Sequence, residues 1–507
     1  MFTQMINTCN TLAKKTIFHK EMLCFNVKNA TIRLLYTIIL NKRVNMKSKF
    51  NKNYFLSLLS FLIPVYVHAS QPNTVIATIN TGITPAGIAV TPDSRFIYVA
   101  NNNNYGLSGE DSVSVLDTTT NLLAHTITDP SFNQPYTVTM SPDGTKAYVT
   151  NSNGTTISII NTFTNSVVGT ITGLNGPSGL VINPTTNIGY VNNYGTGNNS
   201  GTGTTISTID LNNNTITGQI NVGLAPSALA ISPHGEFVYV TNYVDGNPGT
   251  GTMSVVDTMT GMVVDTITGF FGPFAVAVTP DGNHAYVTNF GSNNFSPIGS
   301  TVSVVDLNSH MIVGTVDVGL QPSGIAITPD GRFAYVSNYN TLYAGPNFTD
   351  LTPGQGTVNI IDTATNTVVP PTIAVGQSPD AITISPDGLY AYVTNFTSGT
   401  VSVIALQSFQ ITAKGCKLKR KCSKKGDRIN KLTWEASGSS LPVSYSLYRD
   451  AGLTDLIATV PGSQSKYFDH VSTKQNTYTY YLTGTNEAGT TSEAVKIVVS
   501  RKCEKCK

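Results

Sequence analysis

Basic residues are nearly missing from two thirds of this 507-residue chain: between residues 71 and 405 only Arg95, Lys146 and Arg332 occur, against 19 acidic residues. So few cations cannot neutralise a phosphate backbone, which excludes nucleic acid as a partner of that region. Charge is scarce overall, at 11% Asp, Glu, Lys and Arg, and so are the good helix formers. Thr, Asn, Val and Ile dominate, with 44 glycines. β-Branched residues alternating with turn formers read as an all-β chain with many tight turns.

Beyond residue 70 no apolar run is long enough to span a bilayer. The histidines of the low-charge region, His125, His234, His284 and His310, share no ligand spacing, so no metal or cofactor is expected. The net charge of +2 conceals segregation, because residues 406–507 hold 17 basic and 8 acidic residues. An acidic body therefore precedes a basic tail, and the two favour different partners.

Residues 46–69 read as a secretory signal: Lys47, Lys49 and Lys52, then the apolar run Tyr54–Val67, then the small-residue site Val67-His68-Ala69. The expected product is exported to the periplasm, the cell surface or the medium. Residues 1–45 fit neither signal nor domain and read as a misassigned N-terminal extension.

A repeat dominates residues 70–406. Each unit runs as an apolar alternation, a Pro-Asp-Gly-like turn, a Tyr-Val-x-Asn strand, a variable loop, a Val-Ser-Val-Val-Asp-like strand and a Val-Gly-Thr-Ile-like strand. The marking tyrosines are Tyr98, Tyr148, Tyr190, Tyr239, Tyr286, Tyr335 and Tyr392, spaced by 42 to 57 residues. Four short strands repeated seven times predict a seven-bladed β-propeller. The last unit lacks its fourth strand, and Val75–Ile79 matches the missing pattern. An N-terminal strand is thus expected to close the ring and remove exposed edges. At Tyr148–Asn151, Tyr239–Asn242, Tyr286–Asn289 and Tyr392–Asn395 the chain resembles the YVTN β-propeller repeat family of exported and surface-layer proteins. That resemblance implies the fold and says little about function.

Strand order places the Pro-Asp-Gly turns and Asp117, Asp210, Asp257, Asp306 and Asp362 on one face, where aspartates are expected to cap turns. The opposite face carries long loops rich in Asn, Gly and aromatic residues. Tyr194, Tyr243, Phe290, Tyr339 and Phe396 recur just after the repeat motif and are expected to wedge between blades. Tyr105, Phe295, Tyr343 and Phe348 lie off the repeat and are the candidate ligand contacts, with loop 338–356 the longest. Among the segments leading into the first strands only Asp380 is ionisable. One carboxylate without a base, arginine or metal partner makes a poor acid–base site, and Asp380 joins the candidate ligand contacts instead, as a cap for a channel end or a weak cation site.

After residue 407 a new pattern begins. Seven short strands, Trp434, the Tyr478-Thr479-Tyr480-Tyr481 strand and Asn486–Gly489 resemble a fibronectin type III domain, an immunoglobulin-like β-sandwich. Cys416 and Cys422 are expected in its first loop, and Cys503 and Cys506 after its last strand. Two disulfides or a four-cysteine zinc site remain open, and spacing does not decide the pairing. Lys417, Lys419, Arg420, Lys421, Lys424 and Lys425 belong to a basic pole suited to an anionic cell-surface polymer. The functional expectation is an exported, monomeric, surface-interaction protein. Its propeller loops would bind a glycan, peptide or protein. The alternatives are a lactonase-like propeller hydrolase and a periplasmic redox accessory protein.

Overall fold

The computed structural model describes residues 73–103, 110–195, 201–243, 249–291, 298–344, 350–406, 409–417, 428–438, 442, 444–471, 477–485 and 495–499. The chain divides into two units, 1–67 and 68–507, and every described residue belongs to the second. Among the described residues all regular structure is strand, and no helix is long and apolar enough to cross a membrane.

Residues 74–405 build seven four-stranded antiparallel sheets, a propeller-like arrangement. Six of them are meanders whose strands follow in chain order, as in Pro85–Val90, Phe96–Asn101, Ser112–Asp117 and Leu122–Ile127. Short strands joined by five-residue turns from first to second and four-residue turns from third to fourth strand favour this local pairing. First strands open at Pro85, Pro135, Pro177, Pro226, Pro273, Pro322 and Pro379, a position where a missing N–H is tolerated. The Tyr-Val-x-Asn strands are buried on both sides, which suits their β-branched and aromatic content. Fourth strands such as Ser166–Thr172 and Met311–Asp317 are largely exposed.

The remaining sheet draws on both ends of this region. Thr74–Asn80 pairs antiparallel with Thr400–Ala405, from Thr74 opposite Ala405 to Asn80 opposite Thr400. First strands touch in succession around the seven sheets, and Pro379–Ile384 touches Pro85–Val90. Cores form between neighbouring sheets. One joins Tyr98, Val113 and Val115 to Val138 and Val149, and another joins Ile79, Val401 and Val403 to Ile97, Val99 and Leu116. Each such interface removes the apolar faces of two sheets from water, the main favourable term in holding them.

Loop 338–356 is more regular than its composition predicts, because Thr341–Ala344 and Asp350–Pro353 form a two-stranded sheet. Its Thr-Leu-Tyr and Asp-Leu-Thr segments carry enough β-forming residues to pair locally.

Beyond residue 408 two sheets enclose a shared core. Phe409–Lys417, Arg428–Gly438 and Lys466–Val471 form one; Leu456–Pro461, Ser444–Tyr448, Tyr478–Thr485 and Val495–Val499 form the other. The core holds Leu432, Trp434, Tyr445, Leu447, Tyr480, Leu482 and Ile497. Cys416 lies in a strand opposite Lys431 rather than in a loop. The partner strand runs eleven residues, so pairing continues to Lys417.

Candidate functional site at the loop end of the sheets

The repeat motif explains how the loop end is braced. In each repeat the asparagine Nδ2 donates to two groups on the third strand, as Asn151 does to Thr156 Oγ1 and Ser158 Oγ at 2.9 and 3.0 Å. Asn101, Asn193, Asn242, Asn289, Asn338 and Asn395 repeat this clamp. Its Oδ1 can also hold the incoming linker, accepting from the Gly82 N–H at Asn101 and from the Asn133 N–H at Asn151. The buried tyrosines reach the next sheet. Tyr98, Tyr286 and Tyr335 donate to Asn165, Asn366 and Asn73 Oδ1 at 2.5, 2.6 and 2.6 Å.

Linker ends turn sharply at the same place in every sheet. The residue before each first-strand proline is left-handed: Thr84, Gln134, Gly176, Ala225, Gly272, Gln321 and Ser378, with φ between 47° and 59°. Its carbonyl accepts from the residue just after the motif asparagine, namely Asn102, Ser152, Tyr194, Tyr243, Phe290, Tyr339 and Phe396, at 2.9–3.1 Å. Five of these seven equivalent positions are therefore aromatic, and all are pinned at one end of the sheets.

Four of these rings, Tyr243, Phe290, Tyr339 and Phe396, form a continuous belt with Phe274. Centroids of Tyr243 and Phe274 lie 6.5 Å apart, Phe274 and Phe290 5.2 Å, Phe290 and Tyr339 6.2 Å, and Tyr339 and Phe396 6.4 Å. Tilted and edge-to-face pairs at such distances add to burial. The Tyr243 hydroxyl donates to the Gly291 carbonyl at 2.9 Å, crossing to the next sheet. Phe274 and Tyr136 occupy the second position of their first strands, as Asp380 does. Burial pushes the Tyr136 phenol well above its ordinary value, with Asp380, Tyr194 and Tyr339 adding to it in that order. Groups from four different sheets thus converge. Asp380 keeps some contact with solvent, yet lies deep enough for desolvation to push its carboxyl up to about 6. Among the described residues no side chain hydrogen-bonds or ion-pairs with that carboxylate; only its backbone carbonyl is engaged, by Ser323 and Ser337.

The opposite end is occupied by turn chemistry. Asp93, Asp143, Asp281, Asp330 and Asp387 each accept from a Ser or Thr hydroxyl two residues earlier and from the N–H two residues on. Asp117, Asp257, Asp306 and Asp362 cap the third-to-fourth-strand turns. Among the described residues no group of three or more His, Cys, Asp or Glu could hold a metal ion.

Of the sequence candidates, Asp380 is brought to the belt. Tyr105, Phe295 and Phe348 lie outside the described residues. Tyr343 sits opposite Leu351 in the two-stranded sheet, and its side chain is outside the description. Cys416 and Lys417 end a strand. Lys419, Arg420, Lys421, Lys424, Lys425, Cys422, Cys503 and Cys506 are not described. Sequence reasoning missed Tyr136 and Phe274 as members of the site. Pairing of Pro273 with Asn289 puts Phe274 beside Phe290, a register that the repeat alone implies.

No family model matches the chain. A stretch of 63 residues is 48% identical to the PE-PGRS family protein PE_PGRS18 of Mycobacterium tuberculosis, covering 12% of this chain and 14% of that protein. The chain thus spans only a small part of that curated relative. Hydrazine synthase of Kuenenia stuttgartiensis has a similar fold: TM-score 0.53 at 20% identity, over 64% of this chain and 95% of that chain. At that identity the likeness concerns the fold alone.

Proposed function

We propose that this is an exported recognition protein that holds a glycan, peptide or protein ligand at the loop end of a seven-bladed YVTN-type propeller. The observation that carries the reading is the aromatic belt from Tyr243 to Phe396. Phe274, Tyr339 and Phe396 stay part-exposed and offer rigid contact area at little entropic cost, while the buried Tyr243 and Phe290 brace them. Pairing of Thr74–Asn80 with Thr400–Ala405, and the succession of first-strand contacts, support a ring closed by its N-terminal strand. Limits of 70–406 for the propeller and 407–507 for a fibronectin III-like sandwich follow from the change of repeat pattern. The shared core around Trp434 supports the second of these. In this reading the basic pole of the sandwich contacts anionic surface polymers, and the aromatic loop end supplies specificity. A hydrolase is less well supported, because the carboxyl at the belt has no basic partner among the described residues.

The test is a glycan and peptide array probed with the chain from Ser70 onward, beside Tyr339→Ala and Phe396→Ala variants. Binding that falls about tenfold or more in either variant supports the reading. Binding indifferent to both changes removes it.

A further inference from the structure

The loop end contains no cation of its own. Linkers into the first strands and loops between second and third strands contain no Lys, Arg or His in the sequence. The three basic residues of the region sit at the far ends of the sheets. Arg95 and Arg332 lie against the rings of Phe96 and Phe333 beside the first-to-second-strand turns, and Lys146 opens the strand after such a turn. Asp380 therefore finds no cation among these segments; its charge bears on the Tyr136 phenol, on which Tyr194 and Tyr339 also act, while Asp111, another carboxylate of this end, is held by the N–H groups of Asn103 and Gln134. A carboxylate in this setting has lost hydration and gained no counter-ion, an arrangement that costs free energy in the unliganded protein.

We propose that this loop end takes an organic cation, an ammonium or quaternary ammonium group on an apolar body, with Asp380 as counter-ion and the neighbouring aromatic rings as walls. The inference rests on the recognition reading above and names its ligand class. Two independent features converge on it. Aromatic faces attract a cation held within about 6 Å of the ring, and a belt of contacting rings runs through Tyr339 to Phe396 beside the Asp380 strand. The second feature is the carboxylate itself, which no described side chain partners. A bare divalent metal is a poorer match, since it needs several oxygen ligands and Asp380 is a single carboxylate. A neutral sugar would use the rings but bury the charge without a partner.

Ionisation fixes the sign of the pH dependence. Burial has already raised the carboxyl to about 6, and a bound cation favours the charged form. Affinity should therefore be full well above that value and fall as pH drops through it. The Tyr136 phenol, pushed well above its ordinary value by burial, keeps its proton across this range.

The experiment is calorimetric titration of the full chain with choline and with its uncharged carbon isostere, in which a tert-butyl group replaces the trimethylammonium. The expected result is about tenfold tighter binding of choline near neutral pH. The preference should shrink near pH ~5 and vanish in Asp380→Asn, a same-shape change that leaves the fold intact. Tyr136→Phe, which keeps the ring, should retain it. Equal affinity for the two probes, or a preference that survives Asp380→Asn, overturns the proposal. If array ligands still bind in a Tyr339-dependent manner, the recognition reading stands while the cation inference falls. If nothing binds in either assay, both fall.

Discussion

The backbone N–H of Asn73 donates to the carbonyl of Ala405 at 2.8 Å, the bond that Asn366 makes to Asp362 inside a covalent hairpin, also at 2.8 Å. Both asparagines are left-handed, with φ of 61° and 54°. Both accept a tyrosine hydroxyl from the preceding sheet, Tyr335 and Tyr286 respectively, at 2.6 Å. Two chain segments more than 300 residues apart thus reproduce a turn that other sheets make within one hairpin.

Asn73→Ala and Asn366→Ala should accordingly destabilise by similar amounts, about 1–3 kcal/mol, from a lost tyrosine hydrogen bond and left-handed strain at a residue with a Cβ. Their local effects should differ. At the non-covalent end, faster amide exchange should appear along Thr74–Asn80, whereas Asn366→Ala should leave that strand protected. Urea titration combined with hydrogen exchange measures both, and unchanged exchange in Thr74–Asn80 would show that Asn73 does not hold the strand.

Thr84 is a β-branched residue at φ 47°, and its hydroxyl is buried with no hydrogen-bond partner. Replacing it by glycine removes the steric penalty and the orphan oxygen, at the expense of extra freedom in the unfolded chain. The balance favours the variant by about 1 kcal/mol. Its thermal midpoint, measured beside that of Thr84→Ala, should rise above wild type; a fall would mean that neighbouring contacts outweigh the strain.

Acid sensitivity follows from the turn aspartates. Hydroxyls of Thr91, Ser141 and Thr279 are the largest cause holding the carboxyls of Asp93, Asp143 and Asp281 below the ordinary 3.8. A depressed native value contributes stability that is present above pH 3.8 and lost as pH falls through the lowered values. The turns themselves add no slope above pH ~5, where the raised Asp380 carboxyl gives a small gain as pH falls through about 6, and melting temperature should decline below the ordinary carboxyl value. The triple Asp→Asn variant should melt lower at neutral pH, with a shallower acid decline. Circular dichroism melts across pH decide this, and an unchanged acid slope would remove the turns as its source.

Sequence periodicity made the seven repeats legible because Tyr-Val-x-Asn recurs in register and each copy builds one sheet. The missing fourth strand also pointed to Val75–Ile79, which lie within the strand that pairs with Thr400–Ala405. Capping by the turn aspartates was legible for a local reason, since donor and acceptor lie two or three residues apart. Stitching between sheets was not. Tyr98 and Asn165 are 67 residues apart, and their contact depends on how one sheet is rotated against the next. Left-handed linker ends at Thr84, Gln134 and Gln321 were equally hidden, because those residue types disfavour the conformation and only the tertiary frame imposes it. The belt was half visible. Tyr194 to Phe396 recur by position, whereas Tyr136 and Phe274 stand in first-strand segments where neither charge nor repeat singles them out.

Trp434, the only tryptophan, gives a reporter confined to the C-terminal sheets, where its ring lies 5.4 Å from that of Tyr445. In the same sheets the Tyr480 hydroxyl donates to Asp469 Oδ2 at 2.7 Å and accepts from Asn430 Nδ2 at 2.6 Å, while Arg449 reaches Asp469 Oδ1 at 2.9 Å. Asp469 and Asn430 are both buried, so Tyr480→Phe strands one acceptor and one donor away from water. A loss of about 1–3 kcal/mol is expected, larger than the net worth of the bonds themselves, because desolvation is not recovered. Trp434 fluorescence should therefore report a transition at lower urea, while the circular dichroism transition of the many sheets before residue 406 stays in place. A simultaneous shift of both signals would instead mean that the two groups of sheets unfold as one cooperative unit.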